Sequence, residues 1–268
     1  MSSNPQLAAS CSRVPAFPAE QAELYRRVLA SLQAQGIGFA VAGAFAFQRY
    51  TGIWRFTKDL DLFLPRAEVP RALALCRQIG FNTEVRDPVW LAKAWHDGYF
   101  VDLISGMSNG AIWVTPEWIG QAVRDTVLDQ STLVLAAEDL ILSKLFVTRR
   151  DRFDGSDIVH LLHARGPVLD WPRLLRAAEP FWQLLWWHLI LYDYIYPQAR
   201  ERVPEAVWTH LQARWLDRCR GGEPAPEQFR GALIDDQMFA IDLYEWGAQD
   251  LQAEFRRRRL VEGAGEAA

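Results

Sequence analysis

Apolar residues first fall into register between residues 18 and 36. In "PAEQAELYRRVLASLQAQG", Leu24, Val28 and Leu32 lie four apart, Pro18 suits a first helical turn and Gly36 supplies the stop, so the segment predicts a helix. "IGFAVAG" (37–43) predicts a short buried strand, and "AFAFQRY" (44–50) a helix that opens directly after Gly43. "FTKDLDLFL" (56–64) predicts a strand closed by Pro65, followed by a helix over 67–80 and a strand at 81–85. "YFVDLIS" (99–105) predicts a further strand, and a turn at 108–110 leads into "AIWVT" (111–115). "TLVLA" (132–136) is the last strand predicted. Beyond it the period becomes helical, with helices expected over 137–152, 155–166, 171–178, 180–196, 204–219 and 234–258. The pattern predicts an α/β (α+β) chain: a loose arm over 1–17, a mixed-sheet domain over 18–136 and a helical domain over 137–268.

Composition narrows the function classes. Half of the 268 residues are apolar and 23% are charged, as in a globular protein, and the net charge of −4 offers no global basic field for nucleic acid. Cys11, Cys76 and Cys219 are scattered and form no CxxC pair, which argues against a disulfide framework and a structural zinc site. The N-terminus lacks the pattern of a signal peptide, and "FWQLLWWHLILYDYIYP" (181–197) is too short and too polar for a membrane span. These features lead to the expectation of a cytoplasmic protein with no membrane partner and no DNA partner.

The chemistry concentrates in "FTKDLDLFL". Residues i and i+2 of a strand share a face, so Asp59 and Asp61 project together while Leu60 and Leu62 turn to the core. Two such carboxylates repel each other unless a cation sits between them, and hard oxygen ligands suit Mg²⁺. The same pair also fits a solvent-facing edge strand with no special role. Its context adds to the metal reading. Upstream, Gly43 opens a helix whose bare N–H groups suit a phosphate. Downstream, Asp102 alternates outward between Val101 and Leu103. A phosphate cradle, a carboxylate pair and a third carboxylate are the parts of a phosphoryl-transfer site.

With these residues the chain resembles the nucleotidyltransferase superfamily of the DNA polymerase β type. Within that superfamily it looks most like bacterial nucleotidyltransferase-like proteins, including the abortive-infection toxin group, through the stretch "RFTKDLD" from Arg55 to Asp61. The resemblance implies that Asp59, Asp61 and Asp102 bind two Mg²⁺ ions and that Gly43 and Ala44 hold the triphosphate of an NTP such as ATP. Arg55 and Thr57 are then the preferred site neighbours. The family turn carries Gly or Ser at its second position; here that residue is Ala44, which lacks the hydroxyl. A second block, "AEDLILSKLFVTRRDRFDGSDIVHLL", resembles the family's helical segment at Lys144 and Asp157. Lys144 is then a point charge for nucleotide phosphate, and Asp157 either takes a proton from the attacking hydroxyl or orients Lys144. Both also fit ordinary helix-surface residues.

The resemblance implies a catalyst that moves a nucleoside monophosphate from an NTP to an acceptor hydroxyl and releases pyrophosphate. A small molecule, a protein hydroxyl and an RNA 3′ end are the acceptor classes. The rival is a non-catalytic nucleotide-binding or toxin–antitoxin partner protein of the same fold. Other signals carry less. His160 and His163 with Asp157 lack a fourth metal ligand, so they read as packing or capping residues. The aromatic band over 182–196 reads as core, and "RRRR" (256–259) as a solvated helix end.

Overall fold

The computed structural model describes residues 18–222 and 228–265; the expected arm at 1–17 lies outside them. The described residues gather into two compact units. One runs to Ala136 and takes in the segment from Arg256, and the other spans Ala137–Phe255.

The first unit is built on a seven-stranded mixed sheet. Its strands are β1 (Ala40–Val41), β2 (Asp59–Phe63), β3 (Asn82–Asp87), β4 (Leu91–His96), β5 (Tyr99–Ile104), β6 (Val123–Val127) and β7 (Gln130–Val134), ordered β3-β4-β5-β2-β1-β7-β6. β2 runs parallel to β5 and β1 parallel to β7; the other neighbours are antiparallel. The helices of this unit are α1 (Ala19–Ala34), α2 (Gly43–Thr51), α3 (Val69–Gln78) and the short α4 (Pro116–Gln121). α1 buries Tyr25, Val28, Leu29 and Leu32, and the central strands bury Leu60, Leu62, Val101 and Leu103. Alternation therefore fixes the opposite face of β2 and β5, where the three aspartates lie.

Three hairpins that set the sheet were not predicted: β3–β4, β4–β5 and β6–β7. β4 and β5 are joined by Asp97-Gly98, with His96 paired to Tyr99 and φ values of 47° and 82° in the loop. This is the two-residue turn in which Asp-Gly is favoured, and the dipeptide was legible in the sequence. β6 and β7 turn through Leu128-Asp129, with φ values of 51° and 64°. Leucine hides that turn, and the polar "VRDTV" of β6 reads as loop. The expected strand over 56–64 begins only at Asp59, and "AIWVT" makes an isolated bridge from Trp113 to Gly106 in place of a strand.

The second unit is helical: α5 (Ala137–Lys144), α6 (Gly155–Arg165), α7 (Trp171–Ala177), α8 (Trp182–Ile195), α9 (Glu205–Cys219), α10 (Gly231–Ile234) and α11 (Ala240–Tyr244). α12 (Leu251–Gly265) follows. The helix expected over 137–152 stops at Lys144, because the chain turns back through a bridge between Thr148 and Phe153. The helix expected over 234–258 is three pieces. The Asp235 carboxylate accepts from the Gln237 and Met238 amides, which starts a new turn, and Gly247 (φ 73°) interrupts the chain again. α8 is only partly core: Trp182, Leu185, Leu189 and Tyr192 are buried, whereas Trp187, Ile190 and Tyr194 face solvent. No described helix is long and apolar enough to cross a membrane.

The arginine run is not a solvated helix end. The Arg259 side chain is buried, donates to the Ser105 carbonyl at 3.2 Å and lies over the Trp113 ring. Arg256 reaches Asp87 at 3.0 Å. Arg257 and Arg258 alone face outward. Residues 256–259 thus belong to the first unit's structure.

Candidate active site

Sheet register places the acids. In the parallel pairing of β2 with β5, Asp61 stands beside Asp102, and Asp59 beside Phe100. Asp59 lies two residues before Asp61, on the same face of β2. All three aspartates are half-buried.

The face meets the start of α2. Gly43 opens that helix with φ 54°, and a Cβ there would fall on the Asp61 carboxylate. Glycine serves two needs at this position: the left-handed backbone, and the space that lets the Asp61 carboxylate reach the turn. Ala44 follows as the second helical residue.

The backbone leading into β2 is fixed from below. The Tyr25 hydroxyl donates to the Lys58 carbonyl at 2.6 Å, and the Gln21 amide donates to the Thr57 carbonyl at 3.0 Å. Burial, with Asp59 and Asp61 nearby, pushes the Tyr25 phenol up, so it remains a hydrogen-bond donor. The Thr57 hydroxyl accepts from the Asp59 amide at 2.9 Å, closing the turn at which the strand begins. Thr57 therefore acts on the chain that carries Asp59. The Arg55 guanidinium lies over the Phe47 ring at 5.0 Å.

The sequence reading missed Lys93. On β4 it is the register partner of Asp102, and its ammonium lies 2.8 Å from Asp102 Oδ1. It also sits over the Phe100 ring at 5.4 Å. Burial pushes the Asp102 carboxyl up, Lys93 opposes that shift, and Asp59 adds to it. Among the described residues no three His, Cys, Asp or Glu side chains close around one ion. The chemistry of the face nonetheless fits a hard divalent cation. It offers carboxylate oxygens from adjacent positions of two strands, beside a glycine turn that leaves room for them.

Lys144 and Asp157 come together in the second unit with Asp154, which the sequence reading did not single out. The Lys144 ammonium lies 2.7 Å from Asp154 and 3.0 Å from Asp157, with all three side chains largely buried. Burial works against the Asp154 carboxylate, but Arg152 and Lys144 outweigh it and hold the group below the usual carboxylate range. Asp157 and Lys144 are therefore a buried pair and not helix-surface residues. His163 stacks on Tyr196 with ring centroids 4.2 Å apart, as a packing residue does.

A family model described as uncharacterised nucleotidyltransferase matches residues 6–192. Among solved structures, the solution structure of the antibiotic-resistance factor ANT(2'')-Ia shares 15% identity over 64% of this chain and 98% of its own, with a TM-score of 0.46. An antigenic nucleotidyltransferase-like protein from Paracoccidioides brasiliensis shares 16% identity over 71% of this chain and 96% of its own, also with a TM-score of 0.46. The lincosamide antibiotic adenylyltransferase LnuA, in its lincomycin-bound form, shares 15% identity over 52% of this chain and 94% of its own, with a TM-score of 0.39. No curated protein matches the chain.

Proposed function

The chain belongs to the uncharacterised nucleotidyltransferase family, and we propose that it transfers a nucleoside monophosphate from an NTP to an acceptor hydroxyl, releasing pyrophosphate. One observation carries this reading: register sets Asp61 beside Asp102, with Asp59 on the same face, where the Gly43 turn opens a helix.

Each residue has a task in the proposal. The N–H groups at the start of α2, at Gly43 and Ala44, receive the triphosphate, and the helix dipole adds to their pull. Asp59 and Asp61, with Asp102 beside them, would hold Mg²⁺. When bound, the cation supplies charge neutralisation for the phosphates. Tyr25, Gln21 and Thr57 keep the backbone of the acids in place. Arg55 extends the phosphate grip. Lys144, which the resemblance assigns to nucleotide phosphate, is held by Asp154 and Asp157 within the second unit. The acceptor oxygen attacks the α-phosphorus in line. A new P–O bond forms, the α–β bridging bond breaks, pyrophosphate takes the bonding electrons, and the hydroxyl proton passes to a carboxylate of this face.

The acceptor is a small molecule, a protein hydroxyl or an RNA 3′ end, and the net charge of −4 favours the first two. Calorimetric titration of each NTP, with and without Mg²⁺, tests the reading. We expect Mg²⁺-dependent binding of at least one NTP, lost in the Asp59→Ala/Asp61→Ala double variant. A folded wild-type protein that binds no NTP would overturn the proposal.

A further inference from the structure

We propose that the helical second unit holds a binding site for a small organic anion, an acidic head on an apolar body, in a cavity lined by the start of α8 and the end of α9. The cavity measures about 290 Å³, at the lower end of the range that takes small ligands. Phe146, just after α5, and Phe181 and Leu184, at the start of α8, form one part of its wall. Arg218 comes from the last turn of α9, and Arg230 and Leu233 from the entry and body of α10. All of them lie within Ala137–Phe255, so none belongs to the carboxylate face of the sheet.

Two cations share this cavity. Arg218 and Arg230 are both half-buried, and no carboxylate stands among the described lining residues. The Arg230 guanidinium donates to the Pro180 carbonyl at 3.0 Å and lies over the Phe181 ring at 5.9 Å. Its Nε is buried and has no hydrogen-bond partner among the described residues. A guanidinium taken from water with a carbonyl and a ring for company is short of the acceptors that normally offset desolvation. Burial, and after it the like charge of Arg218, push the Arg230 pKa down. An anion seated beside both arginines supplies the missing acceptor and offsets both effects.

The walls set the rest of the ligand. Phe146 and Phe181 meet edge to face with ring centroids 4.8 Å apart, and with Leu184 and Leu233 they make an apolar surface that suits a ring or a short hydrocarbon body. Gln183 and Gln228 add amides that donate or accept toward one polar substituent. A bare inorganic anion satisfies the arginines and leaves the walls wet, and a neutral apolar molecule does the reverse. The site therefore selects head and body together. A carboxylate and a phosphate are the two heads that pair with guanidinium in this way.

Calorimetry of the full chain with four probes tests this: naphthoate, naphthyl phosphate, the neutral amide naphthamide, and acetate, with folding checked by thermal melting. We expect saturable binding of naphthoate or naphthyl phosphate at one site per chain, with no detectable binding of naphthamide or acetate; the tighter of the two anions identifies the head. Arg218→Met should weaken that binding at least tenfold, and Leu184→Trp, which fills the cavity, should abolish it. The Asp59→Ala/Asp61→Ala variant should bind as wild type does. Naphthamide binding as tightly as naphthoate would overturn the proposal, as would anion binding unchanged in Arg218→Met or Leu184→Trp, or lost in Asp59→Ala/Asp61→Ala. If the two cavity variants do not fold, the wild-type probe series and the aspartate variant decide the matter. Folded wild type that binds neither anion would also overturn it, and binding that then appeared in Glu223→Gln/Glu227→Gln would identify the occupant as one of the chain's own acids.

Discussion

Gly43 has the least chemistry and the tightest constraint of the candidate residues. Its φ of 54° and the Asp61 carboxylate pressed against its Cα leave no room for a methyl group. Gly43→Ala must shift either the turn or Asp61, so we expect NTP affinity to fall at least tenfold while the protein still melts cooperatively; calorimetry and thermal melting read the two effects. Tyr25 contributes differently. Its hydroxyl satisfies the Lys58 carbonyl beneath the acids, and Tyr25→Phe removes that donor. The expected cost is about 1–3 kcal/mol, read from the urea midpoint. The acids were legible in the sequence, because strand alternation alone fixes which way Asp59, Asp61 and Asp102 point. Lys93, Tyr25 and Asp154 were not, because each matters through a partner that register or tertiary packing brings to it. "LAKAWH" carries no mark that Asp102 will face its lysine.

At the scale of elements, reliable prediction followed strong periodicity. α1, α6, α8 and α9 were readable from their apolar spacing, and β2 and β5 from alternation. β6 was not, since an edge strand with charged, exposed residues has no apolar face to show. The break after α5 escaped notice because the turn that follows it is closed through space, by the bridge between Thr148 and Phe153 and by an ion cluster. Lys144 ties Asp154 and Asp157 across the turn, and side chains this buried leave two acids stranded if the lysine is lost. Lys144→Met should cost about 3–5 kcal/mol in chemical denaturation. The same cluster sets a pH dependence. The Asp154 carboxyl is held below its unfolded value, so its contribution is present above an unfolded pKa near ~3.9 and is lost as pH falls through the folded value. The stability gap between wild type and Asp154→Asn should therefore be widest near neutral pH and close progressively below about pH 4.

For the molecule as a whole, the sequence correctly divided an α/β first part from a helical second part. It missed the return of residues 256–259 to the first unit, since an arginine run is usually solvated. Arg259→Ala removes a buried guanidinium from the Ser105 carbonyl and the Trp113 face. We expect a loss of about 1–3 kcal/mol in thermal or urea unfolding, whereas Arg257→Ala should stay within about 0.5 kcal/mol. That return also orders events during synthesis. The bond from Arg259 to Ser105 spans 154 residues of chain. At roughly 5–20 residues per second, on the order of ten seconds separate translation of β5 from arrival of its arginine. While it leaves the ribosome, the nascent sheet waits with Ser105 and Trp113 uncovered. A ribosome stalled short of residue 256 holds a sheet unit that is assembled but not latched, and open to chaperones and proteases until the arginines emerge.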